Sequence, residues 1–394
     1  NSLYIFFAPC CKIIFILRYT IVCGLKRACL IIENNFFKEE IFRIIFYTFV
    51  ESVTSRIGWC RWVENKNFMK YHIFNPESDF ALALGAQHYC APRNILHFRE
   101  DLSLLPMWYA DSEDFVIVEG DIPAAWMQDI RKELLNGVSW VKNSSQLKKA
   151  KISLRPWGWN YSFCKEWNVK GVDCEKLREL SGRSISISLL SFLKEQGFAF
   201  HDGFVMPKKI LQESEVQAFL SQNPSAVLKL PWSSSGKGLR VVENGILDEL
   251  SRKWVANGLL RQGFIMSEKL YSKNTDFAME FFCREGDCRF VGYSLFQTQK
   301  GKYVGNILMP DEAIEEHLSA LGGTSIKQCL DDLKLWIAMF LDQHISPYYQ
   351  GYAGVDMMLV EEGGALHVHP CVELNLRMNM GCVSRIFYDR YVQN

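Results

Sequence analysis

Several common signatures are absent from this 394-residue sequence, and each absence excludes a class of protein. Its 13 cysteines include no C-x-x-C pair, which argues against a zinc knuckle or a thioredoxin-type redox site. Basic and acidic side chains number 44 each, so no charge excess predicts nucleic acid or an anionic membrane as a partner. No internal repeat or Ser-His-Asp pattern is visible, which leaves solenoid folds and triad hydrolases without support.

Residues 1–68 differ in composition from the rest of the chain. They are rich in Ile, Phe, Cys and Arg, and Lys12 and Arg18 interrupt the apolar runs. A membrane span needs about 20 consecutive apolar residues, and no signal-peptide cleavage site follows a short apolar core. The first methionine is Met69, and a strand pattern, KYHIF, follows at once. We therefore interpret residues 1–68 as a non-native or disordered extension, translated from DNA upstream of the native start. A membrane anchor and a genuine soluble extension are the alternatives.

The remaining residues divide into two parts. Residues 69–180 alternate strand patterns with helical stretches such as 124–135, which predicts a small α/β domain. Residues 181–394 combine helices with long strand-like runs, which predicts an α+β domain. Without a convincing signal peptide, the scattered cysteines are most simply thiols in a cytoplasmic protein.

A loop rich in serine and glycine follows a predicted strand in the sequence LKLPWSSSGKGLRVV. Small residues let backbone N–H groups approach phosphate oxygens, and Lys237 adds a positive charge. The loop is not a Walker A motif, because Gly238 follows Lys237 where Ser or Thr would be required. A solvated hairpin turn would look similar, so both interpretations stay open for this loop alone.

The C-terminal hairpin is predicted to gather oxygen ligands. With Gly363 and Gly364 as its turn, position 356 pairs with position 371. Because strand side chains alternate between faces, four of them share one face: Asp356, Cys371, Glu373 and Asn375. Two carboxylates and an amide oxygen suit Mg²⁺, and Arg377 continues the same alternation toward a phosphate. Solvent-facing edge charges are the alternative, but both strands are otherwise apolar.

Two further groups of polar residues are less decisive. His367, His369 and Cys371 form an H-x-H-x-C row, but alternate strand residues are about 6.5–7 Å apart, so packing or substrate contact is favoured over zinc. Asn75, Glu77 and Asp79 follow the first strand, where ligands of open α/β sheets often bind. They are candidates for a second-substrate pocket, although a turn or a helix cap explains them equally well.

The order of three motifs resembles the ATP-grasp superfamily over residues 181–394. The motifs are VLKLPWSSSGKGL, GVDMMLV and VELNLR, and the chain departs from the usual pattern by placing Pro231 two residues after Lys229. The resemblance implies that Lys229 reaches the phosphates of ATP and that a mobile loop closes over them. That loop would consist of Ser233, Ser234, Ser235, Gly236, Lys237 and Gly238.

The resemblance also assigns the other ligands of ATP. Met266, Ser267 and Lys269 would flank adenine, with Glu268 bonding at the adenine edge or the ribose. Asp276 is the candidate acid for ribose, and Arg289 is a candidate contact to the phosphates. The implied ligands of Mg²⁺ or Mn²⁺ are Asp356, Glu373 and Asn375, and Arg377 would lie near the transferred phosphoryl group.

The implied activity is an ATP-dependent ligase of the carboxylate–amine type, with a small-molecule acid and a nucleophile as substrates and an acyl phosphate as intermediate. Lys229 and Arg377 would be its catalytic residues, and a homodimer is compatible with it. Residues 69–180 contain FNPESDFALALG and RPWGWN, which resemble uncharacterised ATP-grasp proteins of Bacteroidetes-type bacteria and imply a preATP-grasp-like domain. A kinase on the same fold and a non-catalytic nucleotide-binding protein are the alternatives.

Overall fold

The computed structural model describes residues 3–8, 12–17, 69–120, 138–150, 152–233, 238–299 and 302–393. The helix predicted at 124–135 and the loop residues Ser234, Ser235, Gly236 and Lys237 lie outside these ranges. The described residues form three sheets, one parallel and two antiparallel, with helices packed against them. The predicted fold class, α/β followed by α+β, is confirmed.

The first part of the chain builds a parallel sheet. A hairpin, β1 (Leu3–Ala8) and β2 (Lys12–Leu17), precedes it and extends the largest sheet instead. The parallel sheet has the order β5-β4-β3-β6 and consists of β3 (Lys70–Ile73), β4 (Phe115–Val118), β5 (Ser139–Lys142) and β6 (Ser153–Pro156). Residues 69–180 are here called the N-terminal block, and the α-helices of its described part are α1 (Ser78–Leu84), α2 (Arg93–Asp101), α3 (Ser145–Lys149), α4 (Tyr161–Glu166) and α5 (Cys174–Leu180).

A four-stranded antiparallel sheet, here called the small sheet, follows. Its order is β7-β10-β8-β9. Its elements, with the helix that precedes it, are α6 (Ile185–Glu195), β7 (Lys208–Ile210), α7 (Glu213–Gln222), β8 (Ala226–Lys229), β9 (Leu239–Val242), α8 (Glu249–Gln262) and β10 (Ile265–Lys269). Helix α8 begins at an Asp248 cap, whose carboxylate accepts from Ser251 N, and it ends at Gly263 with φ +85°. Both are standard helix boundary signals.

The seven-stranded antiparallel sheet, here called the large sheet, has the order β15-β14-β11-β12-β13-β1-β2. Its remaining elements are β11 (Ser272–Arg284), β12 (Asp287–Gln299), β13 (Lys302–Leu308), α9 (Asp311–Gly322), α10 (Thr324–His344), β14 (Gly351–Glu362), β15 (Ala365–Asn375) and α11 (Met380–Tyr391). Alternate residues of β11, such as Phe277 and Met279, join the main core with α6, α9 and α10. In the part of the chain that the structure describes, no helix has the length and apolarity to cross a membrane.

The opposite face of the large sheet is covered by α11 and by the N-terminal block. Met378 and Cys382 pack with Phe74 and Trp157 in one apolar cluster. This face therefore meets residues from the N-terminal block, and β15, the edge strand, lies beside the small sheet, where Lys229 Nζ donates to Val372 O at 3.3 Å. Polar side chains of the two antiparallel sheets and of α1 lie at this junction.

Candidate active site

The β14–β15 hairpin turns at Gly363 and Gly364, as predicted. The pairing of Glu362 with Ala365 leaves these two glycines as the turn. The predicted pairing of position 356 with position 371 is wrong: Asp356 lies opposite Glu373. A β-bulge falls between the Asp356–Glu373 and Met358–His369 pairs and adds two residues to β15. Pro370 lies in this bulge and has no backbone N–H for a ladder hydrogen bond, which is the physical reason for the shift.

Because the shift is two residues, Glu373 and Asn375 stay on the same face as Asp356. Cys371 lies within the bulge and does not share that face. Cys371 is buried in the main core with Leu374, not beside Glu373 as predicted. Asp356, Glu373 and Asn375 still share one face, and Asn375 Nδ2 donates to Asp356 Oδ2 at 3.2 Å. The three predicted metal ligands are therefore brought together.

The pKa of Asp356 is raised well above its ordinary value, first by burial and then by the negative charges of Glu373 and Glu280. Glu280 is itself fully buried on β11, where its neighbours Met279 and Phe281 face the core. Its carboxylate accepts hydrogen bonds from Ser294, Asn379 and Cys382, and burial raises its pKa. Sequence reasoning missed Glu280, although one charge within the apolar run FAMEFFC was the signal.

Lys229 ends β8 at the junction and is buried. Its Nζ lies 2.5 Å from Glu268 Oε2 on β10. The pairing of Lys229 with Met266 and of Val227 with Glu268 places all four side chains on one face of the small sheet. Glu268, predicted at the adenine edge, is thus the direct partner of Lys229, and the pair keeps both charges balanced inside the protein.

Arg183 was not identified from the sequence, although it lies in the ELSGRS stretch before α6. Its side chain is buried, and its Nη2 lies 2.9 and 3.0 Å from the two carboxylate oxygens of Glu373. Its Nη1 donates to Leu230 O and to Ser233 Oγ, each at 2.6 Å. One guanidinium group therefore links the start of the Ser/Gly-rich loop to a predicted metal ligand, as the planar donor fork of arginine allows.

The described ends of the Ser/Gly-rich loop fit closely against each other. Leu230 N donates to Gly238 O at 2.8 Å. A Cβ atom on Gly238 would lie 2.1 Å from Ser233 Oγ, so a larger residue would not fit without a shift. This close approach explains why glycine stands at position 238.

The residues predicted to contact adenine and ribose do not all face the junction. Ser267 is fully buried on the opposite face of the small sheet from Lys229, paired with Leu228, so its side chain does not face the junction. Lys269 donates to Gly203 O at 2.9 Å and to Glu362 at 3.1 Å. Asp276 lies on the same face of the large sheet as Asp356, where it accepts from Thr298 Oγ1 at 2.7 Å.

Arg289 does not join the site. It lies opposite Phe282, near the turn at Gly286, and its guanidinium group pairs with Asp287. The site lies further along the sheet, at the level where Asp356 pairs with Ala278. The prediction that Arg289 faces the phosphates therefore has no support from the position of this residue.

Arg377 follows β15 and points toward the N-terminal block. Its Nε lies 2.9 and 3.1 Å from the two carboxylate oxygens of Asp79 on α1. Asn75 holds the neighbouring loop, since its amide donates to Gly158 O at 2.8 Å and accepts from Gly158 N at 3.2 Å. Glu77 instead pairs with Arg99, at 2.9 Å. Only Asp79 of the three polar residues predicted for a second pocket contacts the site.

The H-x-H-x-C row forms aromatic contacts. The His369 ring centroid lies 5.3 Å from that of Phe204 and 5.2 Å from that of Tyr271, and the His367 ring lies 5.0 Å from His201. Burial lowers the pKa of His369 to about 3, so its ring is neutral. These contacts agree with the packing interpretation.

Three features of the junction favour a polyanion accompanied by a divalent cation. Lys229 and Arg183 supply positive charge beside a loop of small residues. Asp356, Glu373 and Asn375 supply oxygen donors of the kind that Mg²⁺ prefers. Asp356 lies opposite Glu373, and burial first, then the charges of Glu373 and Glu280, raise its pKa; a bound cation would offset both.

No protein-family model matches the chain, and no curated protein does. Among solved structures, D-alanyl-alanine synthetase A from Vibrio cholerae matches 82% of this chain and 94% of its own, with 9% identity and a TM-score of 0.47. Biotin carboxylase from Campylobacter jejuni matches 83% and 71%, with 13% identity and a TM-score of 0.46. A RimK domain ATP-grasp protein from Sphaerobacter thermophilus matches 71% and 99%, with 12% identity and a TM-score of 0.37. Likenesses at these identities and TM-scores establish neither a reaction nor a substrate for this chain.

Proposed function

We propose that this chain is an ATP-grasp ligase that uses Mg-ATP to activate a carboxylate for attack by an amine. The observation that carries the proposal is the convergence, where the small and large sheets meet, of two buried cations with two carboxylates and an amide. Lys229 comes from the small sheet, Arg183 from the segment before α6, and the oxygen ligands from the large sheet. A solvated hairpin turn or solvent-facing edge charges, the alternatives given above, would not explain why these side chains from three segments meet.

The cations would bind the phosphates. Arg183 already contacts Ser233 at the start of the loop, and Lys229 lies in the strand that leads into it. Both side chains are buried, so their charges act at low dielectric and are screened little by salt. Their present partners, Glu373 and Glu268, keep them oriented until a phosphate takes part of each charge.

Asp356, Glu373 and Asn375 would hold Mg²⁺. Bound there, the ion would neutralise the phosphate oxygens and so lower the barrier to phosphoryl transfer. The residues themselves supply position: Asn375 donates to Asp356, and Arg183 fixes both oxygens of Glu373. Because the site needs only binding, orientation and charge neutralisation, no side-chain nucleophile is required.

The reaction has two balanced steps. A carboxylate oxygen of the acid attacks the γ-phosphorus of ATP, a P–O bond forms, and the bond to ADP breaks. The amine then attacks the acyl carbon, an amide C–N bond forms, phosphate leaves and the amine loses a proton. Arg377, which lies two residues after the end of β15 and lines one cleft with Glu373 and Asn375, would hold the oxygens of the reacting carboxylate or phosphoryl group.

Calorimetric titration of a non-hydrolysable ATP analogue with Mg²⁺ into the full chain tests the proposal. Glu373→Gln should weaken binding about tenfold or more, because it removes a charged metal ligand and the two-oxygen contact that orients Arg183. Glu361→Gln is the matched control, because Glu361 is exposed on the same hairpin and should leave binding unchanged. Absence of binding to the folded, unmodified protein would refute the proposal.

Product analysis separates the ligase from a kinase. A ligase releases ADP and free phosphate only when acid and amine are both present, whereas a kinase gives ADP and a stable phosphorylated product with one acceptor. Phosphate release measured with each substrate omitted in turn therefore decides between them.

A further inference from the structure

A narrow cleft separates α1 of the N-terminal block from the end of β15. Its lining includes Ser78, Asp79, Trp159, Trp232, Glu373 and Arg377. Since Glu373 and Asn375 border it, the cleft leads directly to the proposed metal ligands. A molecule bound there would lie beside the site of phosphoryl transfer.

The cleft contains one ion pair that bridges its two walls. Arg377 Nε donates to Asp79, and Nη1 donates to Met378 O at 3.3 Å. Within the described residues, Arg377 Nη2 makes no hydrogen bond. The guanidinium group is thus held from one side and keeps donors available for an anion.

Ser78 provides a third polar group that is independent of the ion pair. The residue is 1% exposed, and its Oγ has no hydrogen-bond partner among the described residues. Gly158 stands against it, since a Cβ there would lie 2.4 Å from Ser78 Oγ. A buried hydroxyl without a partner is costly, which indicates that a ligand atom completes it.

Charge balance decides which ligand fits. An acid without a positive group would pair with Arg377 and leave Asp79 without a counter-charge. An amine without a carboxylate would pair with Asp79 and leave Arg377 without one. A charge that lacks a counter-charge in a partly buried cleft is unfavourable. A zwitterion replaces each partner of the ion pair by a group of the same charge, so neither residue loses its counter-charge.

We propose that this cleft binds an α-amino acid, with its carboxylate on Arg377 and its ammonium group on Asp79. This inference rests on the proposed function, because the bound carboxylate is the one that would attack ATP. The amino acid is then the acid substrate, and Ser78 donates to or accepts from its polar end. Trp159 and Trp232 contribute apolar walls that face the side chain.

The test is calorimetric titration of the full chain with each of the 20 standard amino acids and with D-alanine, in the presence and absence of Mg²⁺ and the ATP analogue. The best-bound amino acid is then compared with its deaminated acid and its decarboxylated amine; for alanine these are propionate and ethylamine. Each analogue should bind about 10- to 100-fold more weakly than the amino acid, because each leaves either Asp79 or Arg377 without a counter-charge. This comparison uses the unmodified protein and needs no variant.

Asp79→Asn should remove the discrimination: the amino acid should bind about tenfold or more weakly, while the deaminated acid binds no worse than before. Asp111→Asn is the matched control, since Asp111 also joins the N-terminal block to α11, through Arg390 at 2.8 Å, but lies outside the cleft. If Asp79→Asn fails to fold, Ser78→Ala serves instead and should also weaken amino-acid binding.

Two results would overturn the inference. Either no amino acid binds while the ATP analogue does, which makes the ion pair a structural contact only, or the deaminated acid binds as well as the amino acid. A protein that binds an amino acid but not the nucleotide would refute the proposed function and retain the ligand class of the cleft. The two failures are therefore distinguishable.

Discussion

Lys229 and Glu268 form a buried ion pair across neighbouring strands, with 2.5 Å between Nζ and Oε2. Lys229→Met should destabilise the ligand-free protein by about 3–5 kcal/mol, because it leaves a buried carboxylate unpaired. The double variant Lys229→Met, Glu268→Leu should regain most of that loss while failing to bind the ATP analogue. Urea unfolding of the three proteins measures the coupling.

The exposed pair Lys253–Glu249 on α8, with its atoms 2.6 Å apart, provides the control. Replacing its members by Met and Gln should change stability by less than about 1 kcal/mol. Equal losses for the buried and the exposed pair would contradict the role assigned to burial.

Asp356→Asn should stabilise the metal-free protein at pH 7 and abolish its stabilisation by Mg²⁺. The folded-state pKa of Asp356 is raised, first by burial, so its charged form costs stability as the pH rises above the ordinary value of 3.8. Asparagine removes that charge. Thermal melting at pH 7 with and without Mg²⁺ should show a gain of a few degrees for the metal-free variant. Exposed Asp202→Asn should show neither change.

His369→Phe should reduce the loss of stability in acid. The pKa of His369 is about 3 in the folded protein against 6.5 for an ordinary histidine, so the unfolded chain binds the proton first. Stability from this site is complete above pH 6.5 and falls as the pH approaches 3. Between pH 7 and pH 4.5 the variant should lose up to about 3 kcal/mol less than the unmodified protein. Urea unfolding at both pH values checks this, with exposed His97→Phe as control.

Asn75→Ala should destabilise the protein by about 1–3 kcal/mol, because the Gly158 backbone N–H and carbonyl both lose their buried partner. Amino-acid binding in the cleft should weaken as well, since Gly158 packs against Ser78. Thermal melting and the amino-acid titration measure the two effects. Asn94→Ala, on the exposed side of α2, should leave both unchanged.

The sequence predicted local features of the hairpin well. The two glycines at 363–364 specified its turn, and alternation placed Asp356, Glu373 and Asn375 on one face. It predicted the pairing incorrectly because Pro370 forces a bulge, whose size depends on the partner strand. Proline in an apolar strand was the available warning.

Contacts between distant segments were not predictable from spacing. Arg183 lies 190 residues before Glu373, and nothing local to it indicates a buried bidentate contact. Asp79 likewise meets Arg377 across 298 residues. Arg289 shows the reverse error, because strand alternation alone did not indicate how far along β12 the site lies.

The number of residues in the bulge at Pro370 determines which face of the large sheet the later side chains of β15 point to. Its two extra residues are an even number, so Glu373 and Asn375 keep the orientation that β15 would have had without them. Removing one residue there would turn both ligands into the core and carry Leu374 and Leu376 outward, whereas removing two would restore regular pairing. The edge strand therefore tolerates length changes only in steps of two, and the metal ligands share that constraint.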